Sequence, residues 1–582
     1  MAEDDQEIAA GLQSCSLSPE NSVISPLLPW ENFSNWVHCI CIVAFDLELG
    51  QAMEMTYPHQ AKLTEKEKSS ICYLAFPDSN SGCMGDTQFQ FRIRQCPPSR
   101  PLPPGLVAYN GGAPAPLQAD PAHFYGYVYF RQVKDPSVRR GYFQKSVVVL
   151  TRLPLLGLFS KALSLIAPEY FNCGDPSIEA ACQSMDQWPP PVPGQTVVLP
   201  LNGVLLKARL PVDRATGSSP PQTSPSQFHL SAIAVPSVHE VDIFRCFLPI
   251  LPHVQLLWEL VIVTEPVVVM AQSPSVCSEM VQALVSMIWP LRYCADYRPF
   301  FTIHDSEFKE YTSTNQALPS VILGVTNPFF AKTFQHWPHI IRIGDEYPPK
   351  RMMFWHSPQR HKIKKASNLR TLDSKPGLYT QYKPLLQKDK MLLKKLLKGI
   401  QTKRPSEVQS ALLKRYLLEL TQSFMIPLER YMASLMPLQR NISPYKGTPS
   451  LGPFKPDDFL NTLENAGPQL TTGIKGDWAA LYRKFFRCSN FSGWYNSRYK
   501  EACQKLQALH VEAISDADPL CWIQDKQEVE VVDLVLRLKD KLTSGERGNL
   551  PLTPHTMDKL RDHVRTIVSK LPEDLQQVLA SS

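Results

Sequence analysis

Acid–base chemistry needs an acid beside a base or two acids side by side, and the chain offers such pairs at His304-Asp305 and Asp457-Asp458. The first looks like half of a nucleophilic triad, in which a carboxylate orients an imidazole. Adjacent residues at a strand end rarely face each other, so a structural pair is expected. The second follows Pro456. A proline opening a helix, with two acids at its positive end, is the pattern of a helix N-terminus and accounts for these residues better than a metal site does. No GxSxG elbow, GxxxxGK[ST] phosphate loop, GxGxxG turn or HExxH helix occurs, and Gly473-Ile-Lys-Gly476 lacks the rest of any phosphate motif. The 14 cysteines include no CxxC pair. Cys39 and Cys41 fall on one face of an apolar strand, where packing explains them. Covalent chemistry is therefore a poor reading, and neither a catalytic residue nor a cofactor or metal is expected.

The elements begin after a polar N-terminal stretch, residues 1–29, expected to be disordered. Val37–Phe45 reads as a buried strand and Ala52–Tyr57 as its hairpin return. Ile71–Phe76 reads as another strand, and Phe89–Arg94 alternates with period two. Tyr125–Arg131 and Lys145–Thr151 form a final antiparallel pair, followed by a helix from Leu156 to about Ile166. Residues 173–237 read as a Pro/Ser-rich connector around one strand pair, Thr196–Arg209. From Leu257 to Phe330 two β-rich halves meet at Thr264-Glu265-Pro266. A helix then opens at Ser273-Pro274, and two short strands follow. Ile340–Ile343 is a further strand. Beyond about residue 376 the pattern is helical, with a long helix from Pro405 toward Met432 and others near 455, 477, 495–514, 524–541 and 554–579. No repeat of solenoid length is visible.

Length bounds the chain at about three or four domains. Its acidic start is unlike a secretory signal, and no run of about 18 apolar residues suggests a membrane span. The thiols accordingly read as free and mostly buried in a reducing compartment. The formal charge of +6 conceals a division: Lys350–Arg404 holds 16 Lys/Arg against 2 Asp/Glu, a local +14, which leaves −8 for the rest. Within it, Lys388–Lys398 sets Leu392, Leu393, Leu396 and Leu397 on one helical face and Lys390, Lys394, Lys395 and Lys398 on the other. Either this is a packed helix with a solvated basic side, or Lys394, Lys395 and Lys398 touch an anionic membrane. Nucleic acid is not an expected partner, because no groove helix or stacking platform accompanies the basic run Arg360–Lys365.

Strands first, then an α/β block, then helices is an order that resembles the DENN domain family. The resemblance runs from about residue 30 almost to the end. It rests most on Ser273–Leu291, on Asp296-Tyr-Arg-Pro-Phe-Phe-Thr-Ile-His-Asp-Ser-Glu-Phe-Lys-Glu-Tyr311 and on Val321-Ile-Leu-Gly-Val-Thr-Asn-Pro-Phe-Phe330. It implies an α+β and α/β multidomain fold. A longin-like upstream module would span 30–172, a central α/β core 238–365, a downstream helical module 366–505 and a C-terminal helical extension 506–582. It also implies a guanine-nucleotide exchange factor for a Rab GTPase, engaging the GDP-bound and nucleotide-free forms across the cleft between the first two modules. A cytoplasmic protein recruited to endosomes, recycling endosomes above all, follows from the resemblance alone. A trafficking scaffold that binds a Rab without exchanging its nucleotide is the alternative. The family does not supply a contact map. Asp296, Tyr297, Arg298, Asp305 and Asn327 are candidate Rab-binding residues because they flank strand ends, where turns, caps or ion pairs would equally employ them. Which Rab is bound, and the oligomeric state, stay open.

Overall fold

A computed structural model describes residues 30–581 apart from 47, 49, 79–83, 98–99, 138–140, 214–231, 314–316, 345–375, 445, 467, 469–472, 525 and 549. The expected N-terminal tail, the low-complexity stretch 217–225 and the basic cluster 360–365 lie outside the described residues. A short helix α1 (Glu31–Ser34) precedes the hairpin β1 (Cys39–Asp46) and β2 (Gly50–Tyr57). Then follow α2 (Glu65–Leu74), β3 (Gly85–Arg94), α3 (Pro104–Gly112), β4 (His123–Lys134), β5 (Tyr142–Thr151) and α4 (Leu156–Cys173). The strands pair antiparallel in the order β2-β1-β5-β4-β3. Alternation along β1 feeds two cores. Ile40 and Ile42 join Leu158, Phe159 and Ala162 of α4. Cys39, Cys41 and Val43 join Ile71, Phe76 and Phe91 on the other face. The two thiols do share a face, with sulfurs 3.6 Å apart.

Ile71–Phe76 is not a strand: most of it is the end of α2. The helix is nucleated upstream by a capping box, in which Thr64 Oγ1 accepts from Glu67 N–H and Glu67 Oε2 accepts from Thr64 N–H at 2.8 Å. The polar residues before Ile71 thus decide the conformation of the apolar ones. The connector is also more ordered than its composition suggests. It opens with α5 (Asp175–Asp186), which buries Ile178, Ala181, Cys182 and Met185 after Gly174 breaks the chain at φ +73°. The expected strand pair is present as β6 (Thr196–Leu201) and β7 (Val204–Arg209), joined by β8 (Ile233–Ala234).

The central block contains α6 (Ile243–Phe247), α7 (Val254–Ile262), β9 (Val267–Met270), α8 (Pro274–Ser286), β10 (Asp296–Arg298), α9 (Phe308–Thr312), β11 (Val321–Val325), α10 (Phe329–Thr333), β12 (His339–Arg342) and β13 (Gly377–Thr380). Only the second of the two β-rich halves expected at Thr264 is a strand; the first is α7. Every residue of α7 is buried, its polar Gln255 and Glu259 included, so no solvent-facing side separates it from a buried strand. The helical run Ile243–Ile262 is apolar enough to cross a membrane by length and composition, yet 83% of its most apolar stretch is buried inside the protein. The sheet order is β10-β11-β9-β12-β13, parallel except for the last strand. Burial on both faces explains why β9 and β11 are almost wholly Val, Ile and Leu, with no polar alternation.

Helices α11 (Lys390–Gln401), α12 (Ser406–Ser434), α13 (Pro456–Ala466), α14 (Trp478–Phe485) and α15 (Ser489–Ser515) pack on this block. The Trp258 indole of α7 donates to Thr421 Oγ1 of α12 at 2.9 Å, and the buried Asn490 amide of α15 donates to the carbonyls of Val261 and Ile262. Finally α16 (Pro519–Ile523), α17 (Glu528–Glu546), α18 (Pro554–Val568) and α19 (Glu573–Ser581) close a separate core with Val511 and Ile514 of α15.

Gly324 of β11 is there for space. A Cβ would stand 2.2 Å from the Pro299 carbonyl oxygen and 2.9 Å from Cys277 Sγ. Gly324→Ala should therefore cost about 1–3 kcal/mol. Gly111→Ala in α3, where a Cβ meets nothing within 4 Å, should be neutral or stabilising. Thermal denaturation followed by circular dichroism compares the two.

Candidate partner-binding site

Strand β3 is an edge of the N-terminal sheet and β10 an edge of the central sheet, and they meet through side chains. Period-two alternation sends Arg92 and Arg94 to the same face of β3. Arg92 binds Asp296 Oδ1 at 2.7 Å and Asp120 Oδ2 at 2.9 Å. Arg94 binds Asp296 Oδ2 at 3.1 Å and Glu307 at 2.6 Å. Arg298 binds Asp296 at 3.1 Å and also Glu307. Arg92, Arg94 and Arg298 thus face three carboxylates, and Arg292 approaches Asp120 from outside at 4.0 Å. The exchange reaches the backbone: Arg92 donates to the Tyr297 carbonyl at 3.5 Å, and Arg298 donates to the Arg92 carbonyl at 3.1 Å. The Arg92 guanidinium also covers the Tyr297 ring at 4.4 Å.

Burial alone would raise the Asp296 carboxyl, but Arg298 and Arg92, with His123 and Arg94, hold it well below the usual carboxylate range. Asp120 is held low in the same way against burial, by its hydrogen bond with His123 and by the Arg92 charge. Burial lowers the His123 imidazole, whose Nδ1 lies 3.1 Å from Asp120.

Of the five residues singled out from sequence, three belong to this seam. Tyr297 and Arg298 are only 6% and 3% exposed, and Asp296 is committed to three arginines. In this arrangement the three side chains are held at the seam against β3 by the ion pairs that the sequence left as one of their possible uses. Asp305 and Asn327 do reach a surface rim, at the carboxyl ends of β10 and β11. Asp305 Oδ1 accepts from the Glu307 N–H and Asn327 Oδ1 from the Phe329 N–H, so both are locked in turns. His304 stacks on Tyr73 of α2 with ring centroids 4.5 Å apart. That contact, and the turn held by Asp305, account for the His304-Asp305 pair without a triad. Asp78 accepts from Thr326 Oγ1 at 3.0 Å and from the Asn327 side chain, while burial raises its carboxyl. Phe329 is 54% exposed and stacks on Phe308; Ile303 is 38% exposed. The rim therefore joins the two modules and is aromatic and pre-set by hydrogen bonds. It lies where open α/β sheets bind partners, outside the carboxyl ends of parallel strands.

Sequence reasoning missed Arg92, Tyr73, Asp78 and Phe329. Arg92 stood in a recognised alternating strand, but its partner lies 204 residues away, and nothing local announces that pairing. Elsewhere, Asp457 and Asp458 occupy the first turn of α13, as expected of a helix start. On α11, Leu392 and Leu396 are buried and Lys394, Lys395 and Lys398 exposed, with Asp389 capping the N-terminus.

Three family models match the chain: "Transport protein Avl9" over residues 37–181, "DENN (AEX-3) domain" over 142–330 and "DENND6 C-terminal domain" over 520–582. Protein DENND6B of Homo sapiens is 57% identical over 558 residues, covering 95% of this chain and 94% of its own. The chain belongs to the DENND6 family. Protein DENND6A of Mus musculus is 57% identical over 556 residues, 95% of this chain and 91% of its own. The DENND6 homolog of Dictyostelium discoideum is 32% identical over 627 residues, 94% of this chain and 83% of its own. In this DENND6-family chain the DENN match ends at Phe330, so β10 and most of the rim lie inside it, whereas Arg92, Tyr73 and Asp78 come from the stretch matched as Avl9. Membership fits a role in membrane trafficking with a small GTPase as partner.

Asp296→Asn leaves three guanidiniums facing two full carboxylates and should cost about 3–5 kcal/mol, read by chemical denaturation. The pH dependence has two parts. His123 has a lowered folded value, so stability falls as pH drops below about 6.5, where the unfolded imidazole takes its proton first. His38, lowered to about 4 by burial and Arg152, acts in the same sense. The contribution of Asp120 and Asp296 is present above the unfolded carboxylate range and is lost only as pH falls through their depressed folded values. A melting temperature that is flat from pH 7 to 5 would contradict this assignment.

Proposed function

We propose that this DENND6-family chain is a guanine-nucleotide exchange factor for a Rab GTPase, working from the cytoplasm on endosomal membranes, recycling endosomes above all. The observation that supports it is the rim of Tyr73, Asp78, His304, Asp305, Asn327 and Phe329, which spans the N-terminal sheet and the DENN core. In this reading the N-terminal sheet and its helices are the longin-like module, and the switch segments of the Rab lie across the rim.

Exchange requires no bond to the substrate. A surface that binds the nucleotide-free GTPase more tightly than the GDP form weakens GDP binding by the same factor, by linkage. A thousandfold faster release requires a barrier lower by about 4 kcal/mol. Burying Phe329 under a partner contributes about 1.5–3 kcal/mol. The turn hydrogen bonds of Asp305 and Asn327 are made before the partner arrives, so little ordering entropy opposes docking. Lys394, Lys395 and Lys398 on α11 serve as a peripheral contact with an anionic leaflet, at about 1 kcal/mol each.

Release of fluorescent GDP from a panel of purified Rabs tests exchange. Dose-dependent release from one or two is expected, with the nucleotide-free form bound most tightly. Phe329→Ser should cut that release at least tenfold without lowering the melting temperature. A protein that instead prefers the GTP form of a Rab and releases no GDP is a scaffold. Charge reversal at Lys394, Lys395 and Lys398 should lower co-sedimentation with phosphatidylserine vesicles and leave release in solution unchanged.

A further inference from the structure

Between α15 and α17, where the segment matched as the DENND6 C-terminal domain rests on the long helix, lies an open cavity of about 610 Å³. Arg537, Asp540, Lys541 and Ser544 line it from α17, and Gln504 and Gln507 from α15. Among the described residues Lys541 makes neither an ion pair nor a hydrogen bond from its side chain. Its inner neighbour is His510, whose ring is already occupied by Thr448 and the Lys446 carbonyl. Burial lowers the Lys541 ammonium against the nearby Asp540 charge, and His510 is lowered by burial and, to a lesser degree, by the Lys541 charge. A half-buried cation facing a cavity, with no carboxylate at contact distance, is a charge waiting for an anion.

We propose that this cavity binds a phosphorylated polyol. Lys541 meets a phosphate, joined by the Arg537 fork as it turns in from its exposed ion pair with Asp533, and the phosphate oxygens also accept from the Gln507 amide and Ser544 hydroxyl. Asp540 would repel a bare anion but accepts from a sugar-like hydroxyl, and Leu536 and Leu550 offer apolar walls to a ring. The ligand touches both α15 and α17, so it clamps the C-terminal helices to the rest of the molecule. The chemistry is shared by a free inositol phosphate and a phosphoinositide headgroup. The proposal is independent of nucleotide exchange.

Calorimetry on the full chain with inositol trisphosphate should show saturable binding that weakens with salt, and inorganic phosphate alone should bind at least tenfold more weakly. Lys541→Met keeps the aliphatic stem, removes the charge and should weaken trisphosphate binding at least tenfold; Arg537→Gln should do likewise. The triple variant Lys394→Ala, Lys395→Ala, Lys398→Ala should bind it normally, which separates the cavity from the basic helix. Flotation with phosphatidylcholine vesicles, with and without phosphatidylinositol monophosphate, assigns the source: lipid-dependent flotation lost in Lys541→Met means a headgroup, whereas binding in solution alone means a free metabolite. No trisphosphate binding by the wild type, or full affinity in the Lys541 and Arg537 variants, overturns the site. Equal affinity for inorganic phosphate overturns the polyol. Should Lys541→Met lose helicity, Ser544→Ala combined with Gln507→Ala reads the same loss from surface donors.

Discussion

Two sheets that each end in an unpaired strand face a common hazard, because an open edge offers its backbone groups to any passing strand. Here β3 and β10 remove that hazard by turning their edges toward each other without a ladder between them. Arginine side chains take the place of main-chain pairing. Arg92 reaches the carbonyl of Tyr297, Arg298 reaches the carbonyl of Arg92, and Asp296 sits among three guanidiniums. Such a seam is a weak source of net stability, since desolvation offsets most of the attraction. Its value is geometric. Planar guanidiniums that each bridge two carboxylates tolerate only a narrow range of offsets, so charge geometry helps to set the relative position of the sheets.

The rim inherits its shape from that constraint. Tyr73 and Asp78 come from the N-terminal sheet's side, His304 and Asn327 from the central sheet's side, and they touch directly. A shift of an ångström at the seam would separate the stacked rings and part Asp78 from Thr326. The surface offered to a partner is therefore a property of two sheets docked together. Any partner that docks there works against the seam's stiffness, so the rim yields less than a surface carried on one sheet alone would.

The strands of the N-terminal sheet were legible in the sequence wherever one face alternated, as in Phe89–Arg94, and the parallel strands wherever Val, Ile and Leu ran unbroken. The errors fell where periodicity carries no information. Helix α7 is buried on all sides, and its two polar residues, Gln255 and Glu259, point inward one turn apart and leave no exposed stripe. The Ile71–Phe76 stretch is apolar but belongs to a helix decided by Thr64 and Glu67 upstream. At the site, the turns held by Asp305 and Asn327 are local chemistry that a sequence displays, whereas for Asp296 and Arg298 the sequence left an interface and an ion pair equally open, and the fold shows the ion pairs. Whether a charged residue near a strand end faces water or another module depends on a partner some 200 residues distant, and composition is silent on that.

Glu259 shows the same logic in the opposite direction. In the sequence it interrupts an apolar run and looks like a defect. In the fold it is fully buried, and its two oxygens accept the backbone N–H groups of Leu385 and Leu386 at 2.8 and 3.1 Å. One turn earlier Gln255 accepts from Asp389 N–H and donates to the Gln387 carbonyl. Helix α7 thereby grips the extended segment that leads into α11, and Asp389, so held, caps that helix. The orientation of the lysine face is consequently fixed by the innermost helix of the DENN core and not by the exposed lysines themselves. Changing those lysines should alter what the face attracts without altering where it points, whereas loss of Glu259 would leave two buried N–H groups unpaired and free the helix from its reference.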